Sequence, residues 1–216
     1  MAKKRKRKRP QRRTKKAKQS KITGYGLIIL IVVLMAGAIG AIKFVNSPSF
    51  TRYTQNGVSK QHQEFINKVL PSAIDVQKKY KILASITLGQ AILESNWGQS
   101  QLASKYNNLF GVKADPNQKS VELSTTEYTN GKPQTVTGRF RVYDNWNQSI
   151  EAHAQLLAHG TDWNNMQYKE VVQANNYKQS AAGLSSDGYA TDPAYAQKII
   201  QIIEKYHLNK YDKNQK

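Results

Sequence analysis

Apolar and polar positions along this chain change their rhythm several times, and each change marks a boundary. The first unit is a run of 21 uncharged residues, Ile22 to Ile42, between Lys21 and Lys43. Its centre, Leu27–Ile42, is almost purely aliphatic and small. A helix of that length rises about 1.5 Å per residue and spans the roughly 30 Å of a bilayer core. Residues 46–58 are polar and broken by Pro48 and Gly57, the texture of a linker. From Ser59 a helical period begins. Ser59 is placed to cap a helix to Leu70, with Phe65 and Val69 on one face. Pro71 is expected to open a second stretch, Ser72–Lys79. Ile82–Asn96 is the strongest helix, closed near Gly98, and it leads to a loop containing Asn107-Asn108-Leu109-Phe110-Gly111.

The period then shortens to two. Val121–Thr129 and Thr135–Tyr143 are rich in β-formers and are joined through Asn130-Gly131, a strong hairpin signal. Helical spacing returns at Gln148–Ala158, Tyr168–Ala174 and Pro193–Tyr206. The last carries a stripe of Ile199, Ile202, Ile203 and Tyr206. Helices, one hairpin, then helices again predict an α+β domain in which the hairpin is a small lobe against a helical body. The expected organisation is a basic tail over residues 1–24, a transmembrane helix or uncleaved signal anchor over 25–45, the linker, a folded domain over 59–208 and a tail over 209–216.

Charge changes this picture at one end only. The formal net charge is +19, yet residues 1–24 hold thirteen of the 33 basic residues and no acid. From Asn46 onward 19 basic residues face 14 acids, a balance of +5. By the positive-inside rule the tail is expected to be cytoplasmic and everything after Asn46 extracytoplasmic. The small residues of Ala36–Ala41 keep a cleaved signal peptide as the rival reading. The basic run Lys3–Arg9 also fits a nucleic-acid patch. Beside an apolar span it reads more simply as a topology signal attracted to anionic lipid of the cytoplasmic membrane, and no nucleic-acid partner is expected. The chain has no Cys, which excludes disulfides and thiolate chemistry. Its four His residues form no recognised metal pattern, and no nucleotide loop or serine elbow occurs, so no metal or cofactor is expected.

Carboxylates remain. Glu94 is the only acid between Asp75 and Asp115 and shares a helix face with Ile82, Ile86 and Gln90. A carboxyl in apolar company holds its proton and suits general-acid work near neutral pH. The alternative is a helix-terminal Glu that reaches solvent. His153, mid-helix between apolar neighbours, reads as a half-buried and satisfied side chain.

Ala91-Ile92-Leu93-Glu94-Ser95-Asn96-Trp97-Gly98 and Asn107–Lys113 resemble the catalytic segment of the bacterial glucosaminidases of glycoside hydrolase family 73. The similarity continues through Thr126-Glu127-Tyr128, Asn130-Gly131-Lys132 and Arg139–Tyr143. It also takes in Ser149-Ile150 with His153, and Gly188–Pro193 with Tyr195-Ala196. The resemblance implies a lysozyme-like fold and cleavage of β-1,4 bonds between N-acetylglucosamine and N-acetylmuramic acid in peptidoglycan glycan strands. It implies that Glu94 is the general acid, that Glu127 is the second carboxylate, and that Tyr189 lies near the reacting sugar. Glu122 competes with Glu127, although strand alternation puts the two on opposite faces. Phe110, Tyr128, Tyr189 and Tyr195 are candidates to stack on sugars, and Asn108 either binds an acetamido group or fixes its own turn. A wide gap between the two carboxylates would suit inversion by water, while the substrate's 2-acetamido group is the alternative nucleophile.

Overall fold

The structure is a computed structural model that describes residues 58–129 and 132–212, without side chains for residues 126–129 and 132–134. The basic tail, the apolar run Ile22–Ile42, the linker through residue 57 and the Asn130-Gly131 tip lie outside the described residues. Among the described residues no helix is long and apolar enough to cross a membrane.

The first helix, α1, is Lys60–Tyr80, and the Ser59 hydroxyl caps it by accepting from the His62 amide. It does not break at Pro71 as expected but runs through it. Proline removes one backbone hydrogen bond and costs about 3 kcal/mol inside a helix. Against that cost, the buried positions Phe65, Ile66, Val69, Ala73 and Val76 keep helical phase on both sides of Pro71. Continuous burial of that stripe outweighs the one lost bond.

The second helix, α2, is Ala84–Ser95 and forms the centre of the molecule. Every residue from Ala84 to Ile92 is buried, as expected for a helix apolar on all sides. Its N-terminal amides find partners outside the helix. Gln77 Oε1 accepts from Ala84 N, and the Asp212 carboxylate accepts from both the amide and the hydroxyl of Ser85. An acid at a helix N-terminus also complements the helix dipole.

After α2 the chain reverses through three consecutive left-handed residues, Asn96, Trp97 and Gly98. Ser95 Oγ donates to Ala91 O and accepts from Gly98 N, closing the turn. A Cβ on Gly98 would stand 2.5 Å from the Trp146 ring, at φ +74°. Gly98→Ala is therefore expected to cost at least about 2 kcal/mol, visible as a lowered melting temperature. A melting temperature equal to wild type would show that the turn has room to relax.

Helix α3, Gln101–Tyr106, follows under a Ser100 cap. Strands β1, Ser120–Thr129, and β2, Lys132–Arg141, then pair antiparallel from Ser120↔Arg141 to Thr129↔Lys132. The base of this hairpin is fastened to the α3 loop: Arg141 N donates to Val112 O, Ala114 N to Arg139 O and Tyr143 N to Tyr106 O. The Arg139 guanidinium closes the adjoining turn on the carbonyls of Asp115, Pro116 and Gln118.

Helices α4 (Trp146–His159), α5 (Lys169–Val172), α6 (Tyr177–Ser186) and α7 (Tyr195–Lys205) complete the body before a 3-10 turn, Leu208–Asp212. The period of the sequence does not reveal α3 or α6. Six residues are too few to show one, and Tyr177–Ser186 carries only Ala181 and Leu184 as apolar buried anchors. Asn176, which accepts from the amides of Lys178 and Gln179, supplies the α6 start signal. Helix α7 starts at Tyr195, two residues later than Pro193, and buries Ile199 and Ile203 against α2 as its stripe predicts. The result is a helical body around α2 with a two-stranded lobe, the α+β arrangement expected from the alternating periods.

Candidate active site

Glu94 occupies the penultimate position of α2, where the buried helix meets the surface, and it is half-buried. The Tyr195 hydroxyl donates to Glu94 Oε1 at 2.7 Å and itself accepts from Gln90 Nε2 at 3.1 Å. Gln90 lies one turn before Glu94, so one helix face and the first residue of α7 hold the carboxyl between them. Burial raises the Glu94 pKa from its ordinary 4.5 to about 8, against the opposing pull of the Tyr195 hydrogen bond and the Lys198 charge. The carboxyl is therefore protonated at neutral pH. The apolar company comes from tyrosines, however, and not from the nearby Trp97. The left-handed turn carries Trp97 away to stack on His62 at 3.7 Å, edge-on to Tyr206 and Phe65.

The opposite case is Glu151, which accepts from Lys79 and Tyr80 and whose pKa is lowered by those bonds. Glu151 lies in a cleft of about 590 Å³ lined also by Asp75, Arg141, Tyr143 and Asn147. Among the described side chains, none of those expected at the site lines that cleft. A carboxylate already ionised by a lysine has no proton to give, whereas burial leaves one on Glu94.

Behind Glu94 stands an aromatic wall. The Tyr195 ring lies 5.7 Å from that of Tyr189, whose hydroxyl is 3.1 Å from His153 Nε2. His153 in turn stacks on Phe110 at 3.9 Å. All four side chains are buried, so Phe110 gives one ring face to His153, and Tyr189 and Tyr195 present little surface for a sugar. His153 is more deeply enclosed than expected: burial lowers its pKa from 6.5 to about 3, and it is neutral. Asn108 is also fully enclosed. Its amide donates to the carbonyls of Val112 and Arg141, and its side-chain oxygen accepts from Val112 N. Of the two readings open for Asn108, the structure shows the one in which it fixes the turn.

Glu127 and Tyr128 lie on β1 opposite Gln134 and Pro133. Their side chains lie outside those described. Glu122, the competing acid on the same strand, is exposed. Sequence reasoning overlooked the roles of Gln90, which braces Tyr195, and of Asp192 and Lys198, which pair at 2.6 Å close to Glu94. The spacing of Gln90 and Glu94 was the available signal for the first. The second depends on how the chain returns to α2 from 100 residues away and has no local signature.

The half-buried Glu94 and the buried His153, with large opposite shifts, contribute opposing slopes to the stability curve. Glu94 has a raised pKa, so its contribution is lost as pH rises from 4.5 through about 8. His153 has a depressed pKa, so stability is lost as pH falls below 6.5 towards about 3. Their slopes cancel between 4.5 and 6.5, where a plateau in melting temperature is expected. His153→Gln should flatten the acid side of a pH series of melts; an unchanged acid side would remove His153 from this account.

Comparison with known proteins shows the family of this fold. A family model described as glucosaminidase, mannosyl-glycoprotein endo-beta-N-acetylglucosaminidase, matches residues 70–208. The exo-glucosaminidase LytG of Bacillus subtilis (strain 168) is 48% identical over 152 residues, covering 70% of this chain and 54% of LytG. A probable N-acetylmuramidase of Lactococcus lactis subsp. cremoris (strain MG1363) is 40% identical over 151 residues, 68% of this chain and 34% of that protein. The chain thus spans about half the length of the first of these relatives and a third of the second. Among solved structures, the catalytic domain of the autolysin Auto from Listeria monocytogenes superposes with a TM-score of 0.67 at 36% identity. That match covers 77% of this chain and 98% of the Auto domain. With most of its folded part matched in sequence and in shape, the chain belongs to the glucosaminidase family, glycoside hydrolase family 73.

Proposed function

We propose that this protein is a membrane-anchored peptidoglycan hydrolase. In this reading it is an endo-β-N-acetylglucosaminidase that cleaves the β-1,4 bond between N-acetylglucosamine and N-acetylmuramic acid, in wall remodelling or autolysis. The observation that carries this reading is Glu94, a carboxyl kept protonated by burial and aimed by Tyr195 at the end of the central helix. A glycosidic oxygen is a poor leaving group until it is protonated, and a neutral carboxyl at the edge of an apolar wall supplies that proton. Once it does so, the new carboxylate keeps the Tyr195 hydrogen bond, and the nearby Lys198 charge favours its ionised form.

Glu127 is the second carboxylate in this reading, activating water or stabilising the oxocarbenium-like centre. Glu127→Gln is then expected to lower kcat by about 100-fold or more, measured on purified peptidoglycan. Activity near wild type in that variant would favour participation by the substrate's own acetamido group. Tyr189, whose buried hydroxyl engages His153, sets the back of the reacting site.

Two relatives suggest other products. LytG is named an exo-glucosaminidase and the lactococcal relative a probable muramidase. Digestion of purified peptidoglycan by the full chain, followed by borohydride reduction and mass analysis, separates the readings. Reduced N-acetylglucosamine ends on fragments of mixed length are expected. Reduced N-acetylmuramic acid ends would make it a muramidase, and release of short terminal units alone would make it an exo-enzyme. The anchor and the outward orientation rest on residues 1–45. Membrane fractionation, with protease access from the outer side, tests both.

A further inference from the structure

Glu94 has a charged neighbour that neither its own helix nor the tyrosine wall supplies. Lys198 and Asp192 form a 2.6 Å ion pair with only 16% and 17% of their side chains exposed. The pair Lys60–Glu64, by contrast, leaves 92% and 65% exposed. An open pair of that kind contributes little, whereas an enclosed pair fixes geometry and loses heavily when one partner is removed. Asp192 also organises the start of α7. Its Oδ1 accepts from Ala194 N, its carbonyl accepts from Tyr195 N, and its Oδ2 receives the Lys198 ammonium from the next turn. Tyr195, the residue whose amide is held this way, is the one whose hydroxyl reaches Glu94.

We propose that Asp192 and Lys198 are positioning residues of the hydrolase: their ion pair sets the first turn of α7, aims Tyr195 at Glu94, and balances the negative charge that Glu94 acquires when its proton leaves. This rests on the reading of Glu94 as the general acid. Among the described side chains, the titratable groups that bear on Glu94 are Tyr195 and Lys198 from α7 and Tyr189 from the segment before it. Gln90, on the acid's own helix, carries no charge. Both tyrosines stay neutral, because burial and the Glu94 charge push their pKa values well up. Among the described side chains, the formal charges that bear on Glu94 are therefore Lys198 and, through its ion pair, Asp192.

The two halves of the pair should act with opposite sign. Lys198→Met removes a cation and leaves the Asp192 anion, which holds the proton on Glu94 more tightly. Asp192→Asn keeps the turn's acceptor and leaves the cation unopposed, which loosens that proton. The test is the pH dependence of kcat on purified peptidoglycan for the full chain and these variants, with melting temperatures recorded alongside. The alkaline midpoint should rise by about one pH unit in Lys198→Met and fall in Asp192→Asn. Lys198→Arg should restore the wild-type midpoint. Midpoints that stay fixed, or that move the same way in both variants, would overturn the proposal even if activity or stability drops. If Lys198→Met does not fold, the Asp192→Asn midpoint alone decides by its sign. Glu94→Gln is the control for the underlying reading. Full activity there would remove the acid itself, whereas an inactive Glu94→Gln with unmoved midpoints elsewhere would remove only the role of the ion pair.

Discussion

Replacing Glu94 with Gln is expected to lower peptidoglycan hydrolysis by about 1,000-fold while making the folded protein more stable at alkaline pH. Both effects have one cause. In the proposed mechanism the carboxyl donates the proton because burial opposes its ionisation, raising its pKa from 4.5 to about 8. That burial is a standing cost to the fold wherever the unfolded chain would ionise and the folded one cannot. Each pKa unit corresponds to about 1.4 kcal/mol, and partial exposure reduces the total to on the order of 2 kcal/mol at pH 8. Sign follows from proton uptake: the folded state holds the extra proton between 4.5 and about 8, so stability falls across that window. Glutamine has nearly the same shape and keeps an oxygen for the Tyr195 hydroxyl, but it does not titrate. The gain in melting temperature should therefore be small at pH 5 and largest near pH 8. A variant that is inactive but no more stable at pH 8 would mean that the Glu94 pKa is close to its ordinary value.

The second large effect is expected at Asn108. Its side chain satisfies two backbone groups that otherwise have no partner in the turn, Val112 N and Arg141 O, and adds a second donor to Val112 O, which also accepts from Arg141 N. The side chain is 1% exposed, so water cannot replace those bonds without opening the loop. An unsatisfied buried polar group costs about 1–3 kcal/mol, and Asn108→Ala leaves more than one of them. A loss of roughly 3–5 kcal/mol is expected, large against the 5–15 kcal/mol that holds a typical domain together. The same bonds fasten the base of β2 to the helical body, so hydrogen exchange should quicken first in the hairpin. Asn108→Asp would keep the acceptor for Val112 N and lose both donors, giving an intermediate loss. A purely substrate-binding role would instead raise KM and leave the melting temperature alone.

These two positions also show what the sequence discloses and what it withholds. Glu94 is legible because it is a lone acid in an apolar helix, and solitude in such a setting has a direct electrostatic consequence. The hairpin is legible because Asn130-Gly131 divides two runs of β-formers of equal length. The unbroken α1 is not legible, since the rule about proline is local and the burial that overrides it is tertiary. The surroundings of Glu94 are withheld for the same reason. Trp97 is three residues away in sequence yet packs on His62, while Tyr195 is 101 residues away and bonds the carboxyl directly. Phe110 and Tyr189 attract notice as aromatic residues in motif segments, and the structure places both in the wall behind the acid. Their burial is a property of packing between α4, the α3 loop and the segment before α7, which no window of sequence contains. The +19 charge that dominates the composition belongs largely to residues 1–24, apart from the chemistry proposed for Glu94.

The central claim is that Glu94 keeps its proton at neutral pH because the fold buries it. Its carboxyl carbon, followed by carbon-13 NMR in glutamate-labelled full chain and assigned by its absence in Glu94→Gln, reports that proton directly. A titration midpoint near 8 is the expected result, several units above the ordinary 4.5. A midpoint close to 4.5 would mean that Glu94 is ionised at neutral pH, and the general-acid account built on its burial would be wrong.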